Sequence, residues 1–219
     1  MEAYQQLINT LTLTVGAAWA SGLNLYATLA VLGISAATGN AHLPLNLQIL
    51  ANPLVIGAAC IMYIVEFFAD KIPGMDTAWD GLHTFIRIPA GALLAAGAVG
   101  EVTPALQIAA GILGGGIAGV THATKAGSRV IINASPEPFS NWVASVSEDL
   151  AVIGGLWVAL HHPLIFIGLF SLFIILVIWL LPKIGRGISQ IFRFAGRLFG
   201  GRKETQTPPP PPEPPLSTP

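Results

Sequence analysis

The chain of 219 residues is 53% hydrophobic and only 10% charged, with a mean hydropathy of +0.68. Soluble domains carry about 25% Asp, Glu, Lys and Arg, so this composition excludes an ordinary water-facing surface and places the chain in a membrane. Ten Lys plus Arg against eleven Asp plus Glu leave a net charge of −1, which excludes nucleic acid as a main partner. The single Cys60 excludes an internal disulfide, a thiolate metal cluster and a CxxC redox pair.

A membrane span needs about 20 mostly apolar residues. In chain order the apolar runs are 8–34, 49–69, 88–99, 103–120, 141–160 and 164–181. The first follows an N-terminus without a basic leader and is too long for a cleaved signal sequence, so it is expected to stay in the mature protein. The third is short, rising about 18 Å as a helix, and is read either as a span extended back to Leu82 or as a re-entrant segment. The sequence therefore predicts an all-α, polytopic transmembrane helical bundle of about six spans. The basic residues agree with that count, because cytoplasmic loops hold Lys and Arg. With both termini cytoplasmic, Lys71, Arg87, Lys125, Arg129, Lys183, Arg186, Arg193, Arg197, Arg202 and Lys203 all fall inside, whereas His42, Glu101 and His161-His162 mark the outer connections.

Polar groups within a bilayer are expensive, so their positions are informative. In the first apolar run, Ser21, Gly22 and Asn24 either break the helix at mid-depth or form a close helix contact with Asn24 bonding across it. Glu66 and Asp70 are four apart and share a helical face, and Asp76, Asp80, His83 and Arg87 follow on another face beyond a Pro73-Gly74 turn. Two such acidic faces suit a divalent cation or a proton relay; alternatively they are helix caps and ion pairs at the headgroup level. No cofactor motif is evident. In the fourth run Gly111, Gly115 and Gly119 repeat every fourth residue, a helix-packing seam. It leads to His122, Lys125 and Arg129 on one face, which read as an anion site or as ordinary positive anchors.

Farther on, Ser135 or Ser140, with Pro136 or Pro138, caps a helix in which Glu148 and Asp149 lie about 10 Å from Asn141. Lys125 and Arg129 are the available partners for such acids. After Pro182, Ile184, Ile188, Ile191, Phe192, Ala195 and Phe199 recur at helical spacing among arginines, which predicts a C-terminal interfacial amphipathic helix on anionic lipid or a plain basic flank. Prolines crowd the last twelve residues, an extended solvated tail. The domain reading is 1–182 membrane bundle, 183–203 basic helix and 204–219 Pro-rich tail.

The runs Ser21-Gly22-Leu23-Asn24-Leu25-Tyr26-Ala27-Thr28, Val65-Glu66-Phe67-Phe68-Ala69-Asp70-Lys71-Ile72-Pro73-Gly74, Asp80-Gly81-Leu82-His83-Thr84-Phe85-Ile86-Arg87, Thr121-His122-Ala123-Thr124-Lys125 and Asn133-Ala134-Ser135-Pro136-Glu137-Pro138 together resemble a bacterial membrane family catalogued as domain of unknown function 4126. The resemblance covers about 11–182 and implies a protein of the bacterial cytoplasmic (inner) membrane, without naming an activity. The leading functional expectation is a small-solute or ion transporter or channel-like protein. Its inner, mixed-charge vestibule would be built from Asn24, Glu66, Asp70, Asp76, Asp80, His83, Arg87, His122, Lys125, Arg129, Glu148 and Asp149. An intramembrane enzyme acting on lipid headgroups ranks lower because no nucleophile elbow, HExxH or phosphatase signature is present. A non-catalytic assembly factor, which leaves room for a homo-oligomer, is the third reading.

Overall fold

The computed structural model describes residues 1–72, 74–134 and 138–199. The expectations for Pro73, for the Ser135-Pro136-Glu137 cap and for the tail at 204–219 lie outside them, as do those for Arg202 and Lys203. Among the described residues the chain is all helical. It forms α1 (Glu2–Leu23), α2 (Leu25–Ala37), a short 3-10 helix (Leu45–Ala51), α3 (Pro53–Ala69), α4 (Met75–Ala98), α5 (Pro104–Asn133), α6 (Pro138–His161) and α7 (Pro163–Phe199).

The bundle buries its ionic groups beside an apolar core and exposes large apolar side chains. Arg87 and Arg129 are fully buried, whereas Leu93, Leu113 and Ile175 are 72%, 68% and 64% exposed. Such a surface is stable only against lipid, where outward Leu and Ile cost nothing and an outward Arg costs several kcal/mol. Three helices are long and apolar enough to cross a membrane: Pro104–Asn133, Phe139–His161 and the Pro163–Ile191 part of α7. The 3-10 helix and α3, bent by 68° at Asn52, make a fourth if taken as one span. Helix α4 is not in that group, although its 24 residues rise about 36 Å.

The first apolar run is not one helix. Asn24 adopts an extended conformation (φ −148°, ψ 101°), ends α1 by donating its N–H to the Ala20 carbonyl, and starts α2 by accepting the Ala27 N–H on its side chain. One residue is therefore both C-cap and N-cap, the role its short amide suits. The two arms fold back on each other. Glu2 and Gln6 of α1 line the same cavity, of about 1170 Å³, as Asn40 and Pro44 beyond α2, together with Val102 and Leu160. Glu2 therefore lies at the Glu101 end of the bundle, as does the chain after α2, and the Asn24 tip reaches the depth of Asp149, twelve residues before the end of α6. A single straight span over 8–34 is thus corrected to a helical hairpin that enters and leaves at one end. By contrast α4 runs unbroken past Ile88, so the short third run is the second half of a longer helix.

Small residues permit the hairpin to reach that depth. A Cβ on Gly22 would sit 2.5 Å from the Ala118 carbonyl, one on Gly91 2.4 Å from the Ala118 Cβ, and one on Gly114 2.2 Å from the Ala95 Cβ. Helices α1, α4 and α5 thus meet backbone to backbone. The repeat Gly111, Gly115 and Gly119 packs more loosely, against Ala92, Ala96 and Ile88 of α4 at 3.3 to 3.7 Å. Helix α7 starts at the Glu101 end and continues through Pro182 without a break. Ile184 packs on Gly127 and Gly187 on Ile131, near the far end of α5. The expected boundary at 182/183 therefore lies inside one helix, because packing on α5 outlasts the loss of a single backbone donor at proline. The start of α1 lies at the Glu101 end of the bundle, whereas Ile184 and Gly187 of α7 pack near the other end of α5.

Candidate functional site: a buried charge network beneath the hairpin tip

Helices α3 to α6 each turn a polar face toward the region below Asn24. Glu66 closes α3, with Asp70 and Lys71 just after it. Asp80 and Arg87, seven residues apart, lie on the buried stripe of α4. His122, Lys125 and Arg129 continue the buried face of α5, and Asn141, Ser145 and Asp149 are buried on α6.

Lys125 is the hub. Its Nζ lies 2.7 Å from Asp70 Oδ2 and 3.6 Å from each of Glu66, Asp80 and Glu148, and donates to the Leu23 carbonyl at 3.2 Å. The Leu23 carbonyl belongs to the last turn of α1, so the lysine also satisfies a helix end that the Asn24 break leaves open. Arg87 pairs with Glu66 and, at 2.9 Å, with Asp80. Arg129 pairs with Glu148 at 2.7 Å and donates to the Asn141 side chain, to the Asn141 carbonyl at 3.1 Å and to the Asp70 carbonyl at 3.3 Å. His122 is locked as a neutral ring. Its Nδ1 faces the Arg87 guanidinium at 3.1 Å and can only accept there, which leaves Nε2–H to donate to Thr84 Oγ1 at 2.8 Å and the Asp80 carbonyl at 3.1 Å. Lys71 donates to Ser145 and the Phe67 carbonyl and lies over the Phe67 ring. Burial pulls it below the ordinary lysine pKa, and Asp149 and Asp70 oppose that pull.

Two of the expected residues stand apart. Asp76 lies at the start of α4, where it accepts from Gly74 and Thr77 N–H groups and from the Asn133 amide at 2.8 and 2.9 Å. It is a cap that ties α4 to α5. His83 stacks on Trp79, with centroids 4.4 Å apart, and meets the Tyr26 hydroxyl at 3.1 Å. Among the described residues no three His, Cys, Asp or Glu side chains gather as a metal-binding group, because cations are interleaved between the carboxylates.

The sequence reading names Lys71 and Asn141 without counting them in the site, and does not name Ser145. The signal for the two α6 residues was present: Asn141, Ser145, Glu148 and Asp149 recur at helical spacing on one face of α6. It was hidden because the polar residues near Pro136 and Pro138 were read as a cap.

Comparison with known proteins adds a family to this geometry. The model described as domain of unknown function (DUF4126) matches residues 11–183. The chain belongs to that family. No curated protein and no solved structure matches it. The DUF4126 segment contains the Asn24 break, the small-residue seam and every residue of the charge network. Residues 1–10 and those after 183 lie outside it.

Proposed function

We propose that this DUF4126 protein is a membrane transport protein for a small solute or ion, with the charge network as its coupling site. The observation that carries the reading is the meeting of two helix ends at mid-depth on buried ionic groups: Leu23 O on Lys125 and Asn24 on Asp149. Unwound helix ends at the bilayer midplane bind ions and solutes because their backbone dipoles are unpaired there. A purely structural helix pair has no need to break one helix and gather nine ionisable groups beneath it.

In this reading α3 to α7 are five crossings, and the α1–α2 hairpin enters from the opposite side to the coupling site's loop. Lys71, Lys183, Arg186 and Arg193 lie toward the Asp70 end, while residues 1–10, 38–52, 99–103 and 161–163 contain no Lys or Arg. The positive-inside rule then puts the Asp70 end in the cytoplasm and the start of α1 outside an inner membrane. The 1–182 bundle is the transport unit. The basic end of α7 beyond Pro182 holds anionic lipid at the cytoplasmic surface.

The test is flux in proteoliposomes across a panel of solutes and ions, with and without a pH gradient. Gradient-dependent flux that is lost in Asp70→Asn and Lys125→Ala is the expected result. Absence of flux for every member of the panel overturns the proposal and favours an assembly role.

A further inference from the structure

Asp149 differs from the other carboxylates of the network. Glu66, Asp70, Asp80 and Glu148 each have a Lys or Arg nitrogen within 3 Å. Asp149 forms no ion pair within 4.0 Å, although it is only 6% exposed. Its Oδ1 accepts a hydrogen bond from the Asn24 amide at 3.0 Å, and the Tyr63 hydroxyl is the other neutral group that bonds the carboxyl, so both of its partners are uncharged. The groups that face it are Asn24 of the hairpin, Tyr63 of α3, Asp70 and Lys71 of the following loop, and Lys125 of α5, with Glu148 beside it on α6.

The charge balance points to the same residue. Five carboxylates, Glu66, Asp70, Asp80, Glu148 and Asp149, share the region with four cations, Lys71, Arg87, Lys125 and Arg129. Of the two neighbouring histidines, His122 is fixed as a neutral acceptor by Arg87, and His83 bonds to the Tyr26 hydroxyl and to none of these carboxylates. One proton on a carboxyl makes this set of nine neutral; Asp76, also buried, is satisfied separately by Gly74, Thr77 and Asn133. Glu66, Asp70 and Asp80 also keep one oxygen without a partner, but each is salt-bridged through the other, so the carboxyl that can take the proton without weakening an ion pair is Asp149.

We infer that Asp149 is the proton-binding carboxyl of this protein and that Asn24 couples its proton occupancy to the α1–α2 hairpin, a step that rests on the transport reading and names a proton as its coupling ion. The step is a simple exchange: the carboxylate gains a proton at Oδ2 from water and returns it on the other side of the cycle. While Asp149 is ionised, the Asn24 amide makes a charge-assisted bond that holds the hairpin tip down. Protonation turns this into an ordinary neutral bond and loosens the tip. Asn24 is thus a positioning residue, since it caps α2 with the other end of the same amide.

Infrared difference spectra of the purified protein between high and low pH test this directly, through the C=O stretch of a protonated carboxyl. The expected result is a band that titrates in wild type and in Glu148→Gln and is lost in Asp149→Asn. Asn24→Ala should keep the band but move its midpoint up by about one pH unit, because a donor to the ionised form is removed. That variant keeps Asp149 in place, so it gives a result even if Asp149→Asn does not fold. A band that persists in Asp149→Asn, a midpoint unmoved by Asn24→Ala, or a band displaced by sodium instead of protons overturns the inference. The spectra do not depend on flux. An Asp149 band without transport removes the transport reading and keeps the proton site, while transport with the band elsewhere does the reverse.

Discussion

Helix α5 turns one continuous buried stripe to its neighbours, but the two halves of that stripe do opposite things. Toward the Glu101 end it carries Gly114 and Ala118, where a Cβ on Gly114 would fall 2.2 Å from Ala95, and the backbones touch. One turn beyond, it carries His122, Lys125 and Arg129, and helices that were in backbone contact are held by long ionic side chains instead. The difference teaches how a charged centre is built in a membrane. Small residues bring α1 down beside α4 and α5, and the break at Asn24 stops it where the charges begin, so that its open end becomes one of their partners.

Removing the hub should have the largest effect. Lys125→Ala leaves carboxylates buried without their cation, at a cost of about 3–5 kcal/mol, seen as a loss of folded protein or a large drop in thermal midpoint in detergent. Replacing a residue in the small half should cost less. Gly114→Val must displace Ala95 and is expected to cost about 1–3 kcal/mol, with Gly22→Val similar through the Ala118 carbonyl. If the glycine change proves costlier than the lysine change, the ionic half is less tightly committed than the packing half.

Asn24→Ala removes a helix cap and the bond to Asp149, and should destabilise by about 1–2 kcal/mol, measurable in the same thermal series. Gly116→Ala, on the same helix but with open space around it, should change stability by less than about 0.5 kcal/mol. Topology sharpens the comparison without touching stability. In a Cys60→Ser background, an impermeant thiol reagent applied to intact cells should label Tyr4→Cys and Glu101→Cys and spare Arg186→Cys. Labelling of only one of the first two would undo the hairpin.

Much of this was legible along the chain. Apolar run lengths and scarce charge were enough for an all-helical membrane protein, and helical spacing brought out Glu66 with Asp70, Asp80 with Arg87, and Lys125 with Arg129 as shared faces. The spacing of Gly111, Gly115 and Gly119 marked the side of α5 that packs on α4, though the tightest contact falls on Gly114. The Ser21-Gly22-Asn24 cluster showed where α1 would end if it ended, yet left open whether it did. Asp76 shows the limit most plainly. It lies four residues before Asp80 on the same helix, but the end of α5 brings Asn133 to one and Arg87 reaches the other.

The sequence by itself determined the solvent, the helices and the faces they present, because hydropathy and the 3.6-residue period are local properties. Tertiary structure alone decided which way the chain runs after Asn24 and which carboxylate is left without a cation. Both depend on how closely α1, α4, α5 and α6 approach one another, and that distance is set by pairs of residues far apart in the chain: Gly22 with Ala118, Gly91 with Ala118, and Asn24 with Asp149.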